Sequence, residues 1–178
     1  MNEARDKRFM ARAIEIAAAG RFWASPNPHV GCVLVADNEE IASGFTQPPG
    51  SHHAEIEALK VAGDRARGAT AYVTLEPCAH WGRTGPCAHA LVDAGVARVV
   101  AAIEDPFGAV AGRGLQILRD AGVEVTTGVL ADEARALIAG FLLRVERGWG
   151  RVRLKLACSL DGRTAMASGE SQWITGAA

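Results

Sequence analysis

The sequence predicts an α/β protein, built as a three-layer α/β/α sandwich around a mixed central sheet. Segments of helical hydrophobic periodicity alternate with short apolar runs along most of the chain, which is the pattern of helices packed on a buried sheet. The first two apolar runs flank the turn Asp37-Asn38, so they should form an antiparallel hairpin. The later runs are separated by helix-length segments, which favours parallel pairing and makes the sheet mixed.

The elements at the start of the chain follow from hydrophobic spacing and from the residues that interrupt it. Residues 3–19 carry apolar side chains at helical spacing, and Gly20 supplies a stop. The segment 25–28, Ser-Pro-Asn-Pro, is predicted as a loop because the residue before each proline is pushed out of the helical region. A nearly continuous apolar run predicts a buried strand over Val30–Val35, and Ile41–Phe45 is the expected returning strand.

The middle of the chain is predicted to alternate between helices and strands. The predicted helices are His53–Val61, Cys87–Ala94, Gly114–Ala121 and Asp132–Arg147. The predicted strands are Ala71–Leu75, Val96–Ile103 and Val123–Val129. The segment Pro77–Pro86 contains several Gly and Pro residues and is predicted as an irregular loop.

The C-terminal segment departs from this alternation. After Gly148-Trp149-Gly150 the pattern predicts a new strand over Val152–Cys158, and no helix follows to complete a unit. We therefore predict one domain over residues 1–147. Residues 148–178 should form a linker with the first strand and loop of a second, incomplete domain. Whether the chain is a fragment or a natural truncation stays open.

The composition restricts the classes of function. Hydrophobic residues make up 49% and charged residues 22% of the 178 positions, as in folded domains, and the formal net charge is −1. Nucleic-acid-binding proteins usually carry a basic surplus, so no nucleic-acid partner is expected. No apolar run reaches the roughly 18 residues of a membrane span. The N-terminal residues lack the apolar region of a signal peptide, so the expected location is the cytoplasm.

The four cysteines are interpreted with that location in mind. Cytoplasmic thiols stay reduced, so these residues are better explained as metal ligands or core residues than as disulfides. Cys32 and Cys158 lie in apolar strand patterns and are expected to be packed. Cys78 and Cys87 lie at the two ends of the Gly- and Pro-containing loop, which is a more typical setting for metal ligands.

Two separated segments carry residues typical of a zinc site. One is His53-Ala54-Glu55, and the other is Pro77-Cys78, followed nine residues later by Cys87. Each segment lies where a loop enters a helix, and the partial positive charge of a helix N-terminus favours thiolates. We predict that His53, Cys78 and Cys87 bind zinc. His52 is the competing histidine, and the spacing to Glu55 favours His53.

A site of this kind is typical of catalytic zinc. Three protein ligands leave the fourth tetrahedral position for water, which zinc acidifies. Glu55 is expected to take the water's proton, pass it to a ring nitrogen of the substrate and later help to protonate the departing amine. The arrangement H-x-E with a downstream P-C pair is that of zinc-dependent deaminases. The alternative is a non-catalytic zinc module, but structural sites usually have four protein ligands.

The spacing between the two cysteines narrows the substrate class. The signature of cytidine and adenosine deaminases has two residues between its cysteines, whereas this chain has eight. The longer loop carries Arg83, and a guanidinium group there is suited to a phosphate. These residues indicate a small phosphorylated amino-heterocycle. A solvated Arg83 without a role, and a deaminase of cytidine, guanine or tRNA adenosine, are the alternatives.

Several longer stretches resemble one protein family. The stretches SPNPHVGCVLV, HAEIEALKVAG, GATAYVTLEPCAHWGRTGPC, AGVARVVAAIEDP and VAGRGLQILRDAGVEV resemble the deaminase half of the bifunctional riboflavin-biosynthesis deaminase–reductase family. The tail RLKLACSLDGRTAMASGESQWITG resembles the opening of that family's reductase half. The resemblance implies a cytidine-deaminase-like fold. It also implies hydrolysis of the 2-amino group of 2,5-diamino-6-ribosylamino-4(3H)-pyrimidinone 5′-phosphate, with release of ammonia.

The resemblance also implies roles for single residues. One Zn²⁺ ion per chain would be bound by His53, Cys78 and Cys87, with Glu55 as the catalytic residue. The positions implied to contact the substrate are Asn27, His80 and Arg83. An NADPH site is expected only in a complete reductase domain, through positions that match Lys155, Ser168, Trp173 and Thr175.

Three departures from the usual family pattern replace neither a zinc ligand nor Glu55. The usual Gly-Tyr-His-Gln is replaced by residues 44–47, Gly-Phe-Thr-Gln, so that Thr46 replaces a pocket histidine. The usual Asp-Pro-Asn-Pro becomes Asp-Pro-Phe-Gly at 105–108, which introduces Phe107. The usual Thr-Pro-Pro-Cys becomes Thr-Gly-Pro-Cys at 84–87. We expect the deamination chemistry to be retained, with weaker turnover or a related substrate as open alternatives.

The remaining expectations concern partners. The expected substrate is a small phosphorylated pyrimidine, and neither a nucleic acid nor a membrane is an expected partner. Long apolar strands and an exposed tail favour self-association as a homodimer. Because a nicotinamide site needs a complete fold, no reductase activity is expected from these 178 residues.

Overall fold

The computed structural model describes residues 2–81, 85–108 and 110–171. Its helices are α1 (Asn2–Ala17), α2 (Ala54–Ala62), α3 (Cys87–Asp93), α4 (Arg113–Asp120), α5 (Ala131–Leu137) and α6 (Ala139–Arg147). Short 3₁₀ helices follow the first two of these, at Ala18–Phe22 and Gly63–Ala66. Its strands are β1 (Gly31–Ala36), β2 (Glu39–Phe45), β3 (Thr70–Val73), β4 (Arg98–Ala101) and β5 (Glu124–Thr127). The order of elements matches the predicted order as far as β5.

The strands form one five-stranded sheet in the order β2-β1-β3-β4-β5. Strand β1 is antiparallel to β2 and also to β3, whereas β3, β4 and β5 are parallel to one another. The predicted hairpin and the predicted mixed sheet are therefore confirmed. Since parallel strands end at the same edge of the sheet, the segments that follow β3 and β4 emerge side by side.

Two glycines allow helices to pack closely on opposite faces of the sheet. A Cβ on Gly31 would lie 2.0 Å from the carbonyl oxygen of Ala13 in α1, and one on Gly44 would lie 2.5 Å from that of Ala54 in α2. Gly44 pairs with Cys32, the neighbour of Gly31, so the two glycines point to opposite faces. Helix α5 lies beside α1, and α3 lies between α2 and α4. This is the predicted three-layer α/β/α sandwich, and it holds the start of α2 close to the sheet.

A buried ion pair connects α1 to the centre of the sheet. Arg98 in β4 donates two hydrogen bonds to Asp6 in α1, at 2.9 Å to Oδ1 and 2.8 Å to Oδ2. The hydroxyl of Tyr72 in β3 donates to Asp6 Oδ1 at 2.8 Å, and Arg98 Nε donates to Glu124 in β5 at 2.8 Å. Asp6 and Arg98 are both buried. The hydrogen bond from Arg98 lowers the pKa of Asp6.

Replacing Asp6 by asparagine is expected to lower the free energy of unfolding by about 3 kcal/mol at pH 7, because Arg98 loses its buried counter-charge. The pKa of Asp6 is lowered in the folded state. Its stabilising contribution is therefore present above the unfolded-state pKa of about 3.9 and is lost as the pH falls through the folded-state value. Urea unfolding of both proteins at pH 7 and pH 3 measures the difference, which should shrink at the lower pH.

The matched control is Glu3→Gln, which removes an exposed carboxylate of α1 that pairs with Lys7. Exposed pairs contribute little to stability, so this variant should unfold like the wild type. An Asp6→Asn variant as stable as Glu3→Gln at pH 7 would contradict the role given to the buried pair.

The structure differs from the prediction near the end of the domain. The single helix predicted over Asp132–Arg147 is two helices, interrupted at Ile138, whose φ of −106° and ψ of 24° lie outside the helical region. The apolar periodicity continues through the interruption, since Ala134, Ile138 and Leu142 are all buried. Hydrophobic spacing alone therefore did not reveal the break.

The predicted strand over Val152–Cys158 is not formed, and residues 151–159 carry no regular secondary structure. A strand needs a hydrogen-bonding neighbour, and no described residue pairs with this segment, so its alternating apolar side chains stay exposed. The expected packing of Cys158 is likewise wrong, since this thiol is exposed, whereas Cys32 is buried as predicted. Within the described ranges, no helix is both long and apolar enough to span a membrane.

Candidate active site

Two helix N-termini and one loop place the predicted metal ligands side by side. His53 directly precedes α2, and Cys87 is the first residue of α3. Cys78 lies in the loop that follows β3, and the backbone N–H of Cys87 donates a hydrogen bond to its Sγ at 3.3 Å. Because α2 and α3 pack against each other, the three side chains converge at the sheet edge where β3 ends.

The ligand atoms are spaced as a tetrahedral zinc site requires. His53 Nδ1 lies 3.5 Å from Cys78 Sγ and 3.3 Å from Cys87 Sγ, and all three ligand atoms lie within 4.8 Å of one another. Zn–S bonds of about 2.3 Å and Zn–N bonds of about 2.0 Å, at tetrahedral angles, place nitrogen and sulfur about 3.5 Å apart. The distances and the donor set therefore both fit a zinc ion.

The electrostatics of the cluster favour a negative charge on the sulfur of Cys78. Hydrogen bonding to Cys87 and His53 lowers the pKa of Cys78 to about 4. The neighbouring Cys78 sulfur and burial raise the pKa of Cys87. Hydrogen bonding to Cys78 raises the pKa of His53. The three groups therefore share protons among themselves, and a bound divalent cation would displace those protons from both sulfurs and the ring nitrogen.

Glu55 lies in the first turn of α2, two residues after His53, and is only 3% exposed. Burial raises the pKa of its carboxyl to about 7, and the negative charge of Cys78 adds to this effect. A carboxyl group that titrates near neutral pH can both accept and release a proton under working conditions. A cation held by the neighbouring cluster would shift this pKa downwards.

A cavity of about 510 Å³ adjoins the cluster and is lined by His53, Cys78 and Glu55 among others. This volume is typical of small-molecule sites, which usually measure about 300–1,000 Å³. Two further carboxylates, Glu76 and Asp105, also line it. The cavity therefore brings the candidate metal ligands and the candidate proton carrier to one space that a small heterocycle can enter.

The structure places the other predicted histidine, His52, outside this arrangement. Its Nδ1 lies 3.1 Å from Glu57 Oε1 and 2.8 Å from Lys60 Nζ, on the exposed side of α2. His53, in contrast, directs Nδ1 at the two sulfurs. The geometry thus favours His53 over His52 as the histidine ligand.

Two of the three predicted substrate contacts lie within the described residues, and both line the same cavity. Asn27, in the loop before β1, and His80, in the loop after β3, both line it. The rings of His80 and Phe107 are in edge contact, with their centroids 6.2 Å apart and their planes inclined at 61°. Arg83, the predicted phosphate contact, lies outside the described residues.

A comparison with protein families gives a match over the part of the chain that carries the metal cluster and Glu55. Residues 3–103 match the family described as the cytidine and deoxycytidylate deaminase zinc-binding region. The match covers more than half of the chain and includes the His-x-Glu segment and both cysteines of the cluster. The chain belongs to this zinc-binding deaminase family.

Relatives of this deaminase-family chain include riboflavin biosynthesis proteins. It is 58% identical to the riboflavin biosynthesis protein RibD of Escherichia coli over 170 residues, which are 96% of this chain and 46% of that protein. The RibD of Haemophilus influenzae is also 58% identical, over 168 residues, 94% of this chain and 45% of that protein. The chain thus spans about half the length of the curated relatives it matches.

Solved structures show the same fold. Acinetobacter baumannii RibD superimposes with a TM-score of 0.92 at 57% identity, over 97% of this chain and 49% of that chain. A diaminohydroxyphosphoribosylaminopyrimidine deaminase/5-amino-6-(5-phosphoribosylamino)uracil reductase from Thermotoga maritima gives 0.94 at 40% identity, over 99% of this chain and 51% of that chain. The cytidine-deaminase-like fold predicted from the resemblance is confirmed.

Two of the departures from the usual family pattern, Thr46 and Phe107, are expected to affect substrate fit. Both residues line the cavity of this deaminase-family chain. Thr46 is buried, and its hydroxyl accepts a hydrogen bond from the backbone N–H of Val30 at 2.9 Å. Its side chain therefore supports the start of β1 and offers less reach than a histidine. Phe107 adds an apolar face beside His80, so both substitutions change the wall of the pocket and not the metal cluster.

Glu76 has a role that the sequence did not reveal. Its carboxylate is 3% exposed and accepts hydrogen bonds from two segments of backbone. Oε2 accepts from Asp105 N–H at 3.1 Å and Gly112 N–H at 2.9 Å, while Oε1 accepts from Gly114 N–H at 2.8 Å and Leu115 N–H at 3.4 Å. Glu76 thereby ties the loop of Cys78 to the segment that carries Asp105 into the cavity.

The backbone around Glu76 is also closely packed. A Cβ on Gly114 would lie 1.8 Å from the carbonyl oxygen of Pro77, so the start of α4 packs directly on the segment before Cys78. The backbone partners of Glu76 lie 29 to 39 positions further along the chain. A glutamate before a Pro-Cys pair carries no local signal of such distant contacts, which is why spacing did not identify it.

Replacing Glu76 by glutamine is expected to lower the free energy of unfolding by about 2 kcal/mol, because an amide nitrogen cannot accept the hydrogen bonds that one carboxylate oxygen accepts. Urea unfolding measures the loss, and bound zinc should remain at one ion per chain. Glu104→Gln, an exposed position near the same segment, is the control and should match the wild type. A Glu76→Gln variant as stable as this control would contradict the role of Glu76 in holding these backbone segments together.

Two of the four positions predicted to bind NADPH lie within the described residues. Lys155 and Ser168 are exposed and do not line the cavity. Trp173 and Thr175 lie outside the described residues. Their predicted role in a complete reductase domain stays a prediction.

Proposed function

We propose that this chain catalyses the zinc-dependent hydrolytic deamination of 2,5-diamino-6-ribosylamino-4(3H)-pyrimidinone 5′-phosphate. The observation that carries the proposal is the position of Glu55 beside the cluster of His53, Cys78 and Cys87, since Glu55, His53 and Cys78 line one cavity. The substrate assignment is supported by 58% identity to a riboflavin biosynthesis protein over 96% of the chain. The reaction consumes one water, forms a carbonyl at the ring carbon and releases ammonia.

The residues of the chain divide the chemistry between binding a metal and moving protons. Zinc, when bound by His53, Cys78 and Cys87, supplies an activated water near neutral pH. Glu55 accepts a proton at its carboxylate, delivers it to the ring nitrogen next to the reacting carbon, and then assists protonation of the departing amine. Burial raises the pKa of Glu55 to about 7 in the metal-free chain, so its carboxyl group can accept and release a proton near neutral pH.

The cavity walls orient the ring. We assign substrate contacts to Asn27 and His80, which approach the cavity from two different loops, and to Arg83 as the contact for phosphate. Phe107 and Leu75 offer apolar surface on which a pyrimidinone ring can pack. Apolar surface combined with a small number of polar groups is typical of sites that bind a small molecule.

An ammonia-release assay tests the proposal directly. Purified chain with one equivalent of zinc should release ammonia from the diamino-pyrimidinone ribotide and much less from cytidine, guanine or dCMP. Removal of zinc with a chelator should abolish release, and added zinc should restore it. Preferential turnover of one of the other amines would assign another deaminase substrate, while zinc binding without any ammonia release would support a non-catalytic module.

We further propose that the chain self-associates as a homodimer and functions in the cytoplasm. The support for self-association comes from its apolar strands and from exposed apolar side chains such as Leu154 and Leu156. Sedimentation velocity of the purified chain measures its mass in solution. NADPH binding belongs to the proposed function of a complete reductase domain and is not expected of residues 148–178 alone.

A further inference from the structure

A second cavity, of about 260 Å³, lies next to the first. The two share four lining residues, Asn27, Pro28, Phe141 and Arg144. The second cavity extends from these shared residues between the 3₁₀ helix that follows α1, the loop before β1 and the start of α6. A ligand whose ring lies in the first cavity can therefore extend a substituent into the second.

The second cavity has the opposite charge character from the first. Its ionisable lining residues are Arg21, His29 and Arg144, and no carboxylate lines it among the described residues. The first cavity, in contrast, is lined by Glu55, Glu76 and Asp105. Neither Arg21 nor Arg144 forms an ion pair with any described carboxylate, so their charges are left to solvent or to a ligand.

One buried polar atom of a residue that lines this cavity lacks a protein partner within the described ranges. His29 Nε2 is buried and has no hydrogen-bond partner among the residues that the structure describes. Burial and the charge of Arg21 lower the pKa of His29, whose ring also makes a hydrogen bond to the backbone of Leu137. An anion in this cavity would balance the charges of the arginines, and it would favour a protonated His29 ring, whose second N–H group can donate to the anion.

Arg144 is held in a position suited to this task. Its guanidinium donates one hydrogen bond to the carbonyl oxygen of Pro26 at 2.7 Å, and it packs near the ring of Phe141. A guanidinium has five N–H donors, so most remain available for an anion. The same bond connects α6 to the loop that carries Asn27, which links anion binding to the position of a proposed substrate contact.

We propose that the second cavity binds a phosphate monoester, held by Arg21 and Arg144 and contacted by His29. The ligand is the 5′-phosphate of the substrate whose ring occupies the first cavity, and this identification rests on the proposed function. Arginine is the side chain best suited to phosphate oxygens because its planar fork can make two parallel hydrogen bonds. The assignment adds cationic contacts from α6 and the 3₁₀ helix to the phosphate contact predicted at Arg83.

Steady-state kinetics of Arg21→Gln and Arg144→Gln test the proposal on the whole 178-residue chain. With the ribotide, KM should rise about tenfold to a hundredfold in each variant, as for loss of a charge-assisted hydrogen bond, while kcat changes little. With the riboside, which lacks the phosphate, both variants should match the wild type. The control is Arg147→Gln, on the same helix but lining neither cavity, which should match the wild type with both compounds.

Binding of inorganic phosphate, measured by titration calorimetry, separates failure of this inference from failure of the proposed function. If the wild type releases no ammonia from the ribotide, the proposed function fails. Weaker phosphate binding in Arg21→Gln and Arg144→Gln, but not in Arg147→Gln, would still support an anion site. If ribotide turnover is normal and KM is unchanged in both variants, the inference is overturned. An equal rise in KM for ribotide and riboside would also overturn it, because the arginines would then act only through the Asn27 loop.

Discussion

Replacing Glu55 by glutamine is expected to reduce the rate of ammonia release by about a thousandfold, the middle of the range for general acid–base catalysis. Glutamine has nearly the same shape but cannot accept and return a proton. Because Glu55 is not among the three clustered ligands, the variant should still bind one zinc ion per chain. Ammonia release from the ribotide and zinc content by mass spectrometry measure the two properties separately.

A neighbouring glutamate provides the control for this variant. Glu57 lies on the same helix and interacts with His52 and Lys60 at the surface. Glu57→Gln should retain full ammonia release and full zinc content. If Glu55→Gln is as active as Glu57→Gln, Glu55 has no part in proton transfer. If Glu55→Gln loses zinc as well as activity, its role is in metal binding.

Replacing Cys87 by alanine is expected to abolish activity through loss of the metal. Cys87 contributes one of the three clustered ligand atoms, and its backbone N–H also donates to Cys78 Sγ. Mutation of groups that only support metal ligands costs about 10- to 100-fold in affinity, so removal of a ligand should cost more than a hundredfold. The zinc content after dialysis and the zinc concentration that restores ammonia release measure this loss.

The matched control for the ligand variant is Cys158→Ser, because Cys158 is exposed and far in sequence from the cluster. This variant should bind zinc and release ammonia like the wild type. A Cys87→Ala protein that retains one zinc ion per chain after dialysis would contradict the ligand assignment. A protein that loses zinc but keeps its activity would show that deamination does not depend on the metal.

The candidate site was predictable because each part of it is encoded locally. His53 and Glu55 are two residues apart at a helix start, and Cys78 and Cys87 mark the two ends of one loop. Neighbours in sequence stay neighbours in space, so such motifs can be recognised without knowledge of the fold. The alternation of buried strands and helices, with a turn after β1, predicted the sandwich for the same reason.

The contacts that support the site were not predictable, because they join residues that only the fold brings together. Asp6 and Arg98 are 92 positions apart, and neither lies in a recognisable motif. Glu76 accepts hydrogen bonds from backbone groups that any sequence would supply. The antiparallel pairing of β1 with β3 likewise depends on how the layers pack and not on a local turn.

The sequence by itself determined which side chains could hold a metal and move a proton, and in what order helices and strands follow one another. Only the tertiary structure decided that Glu55 is buried beside the cluster, that Glu76 joins two loops, and that acidic and basic cavities lie next to each other. The strand expected after Gly150 shows the same distinction, because its apolar alternation is encoded but its hydrogen-bonding partner is not present among the described residues. The physical reason is that chemistry and periodicity are properties of neighbouring residues, whereas burial, pairing and electrostatic environment are properties of segments that meet only when the chain folds.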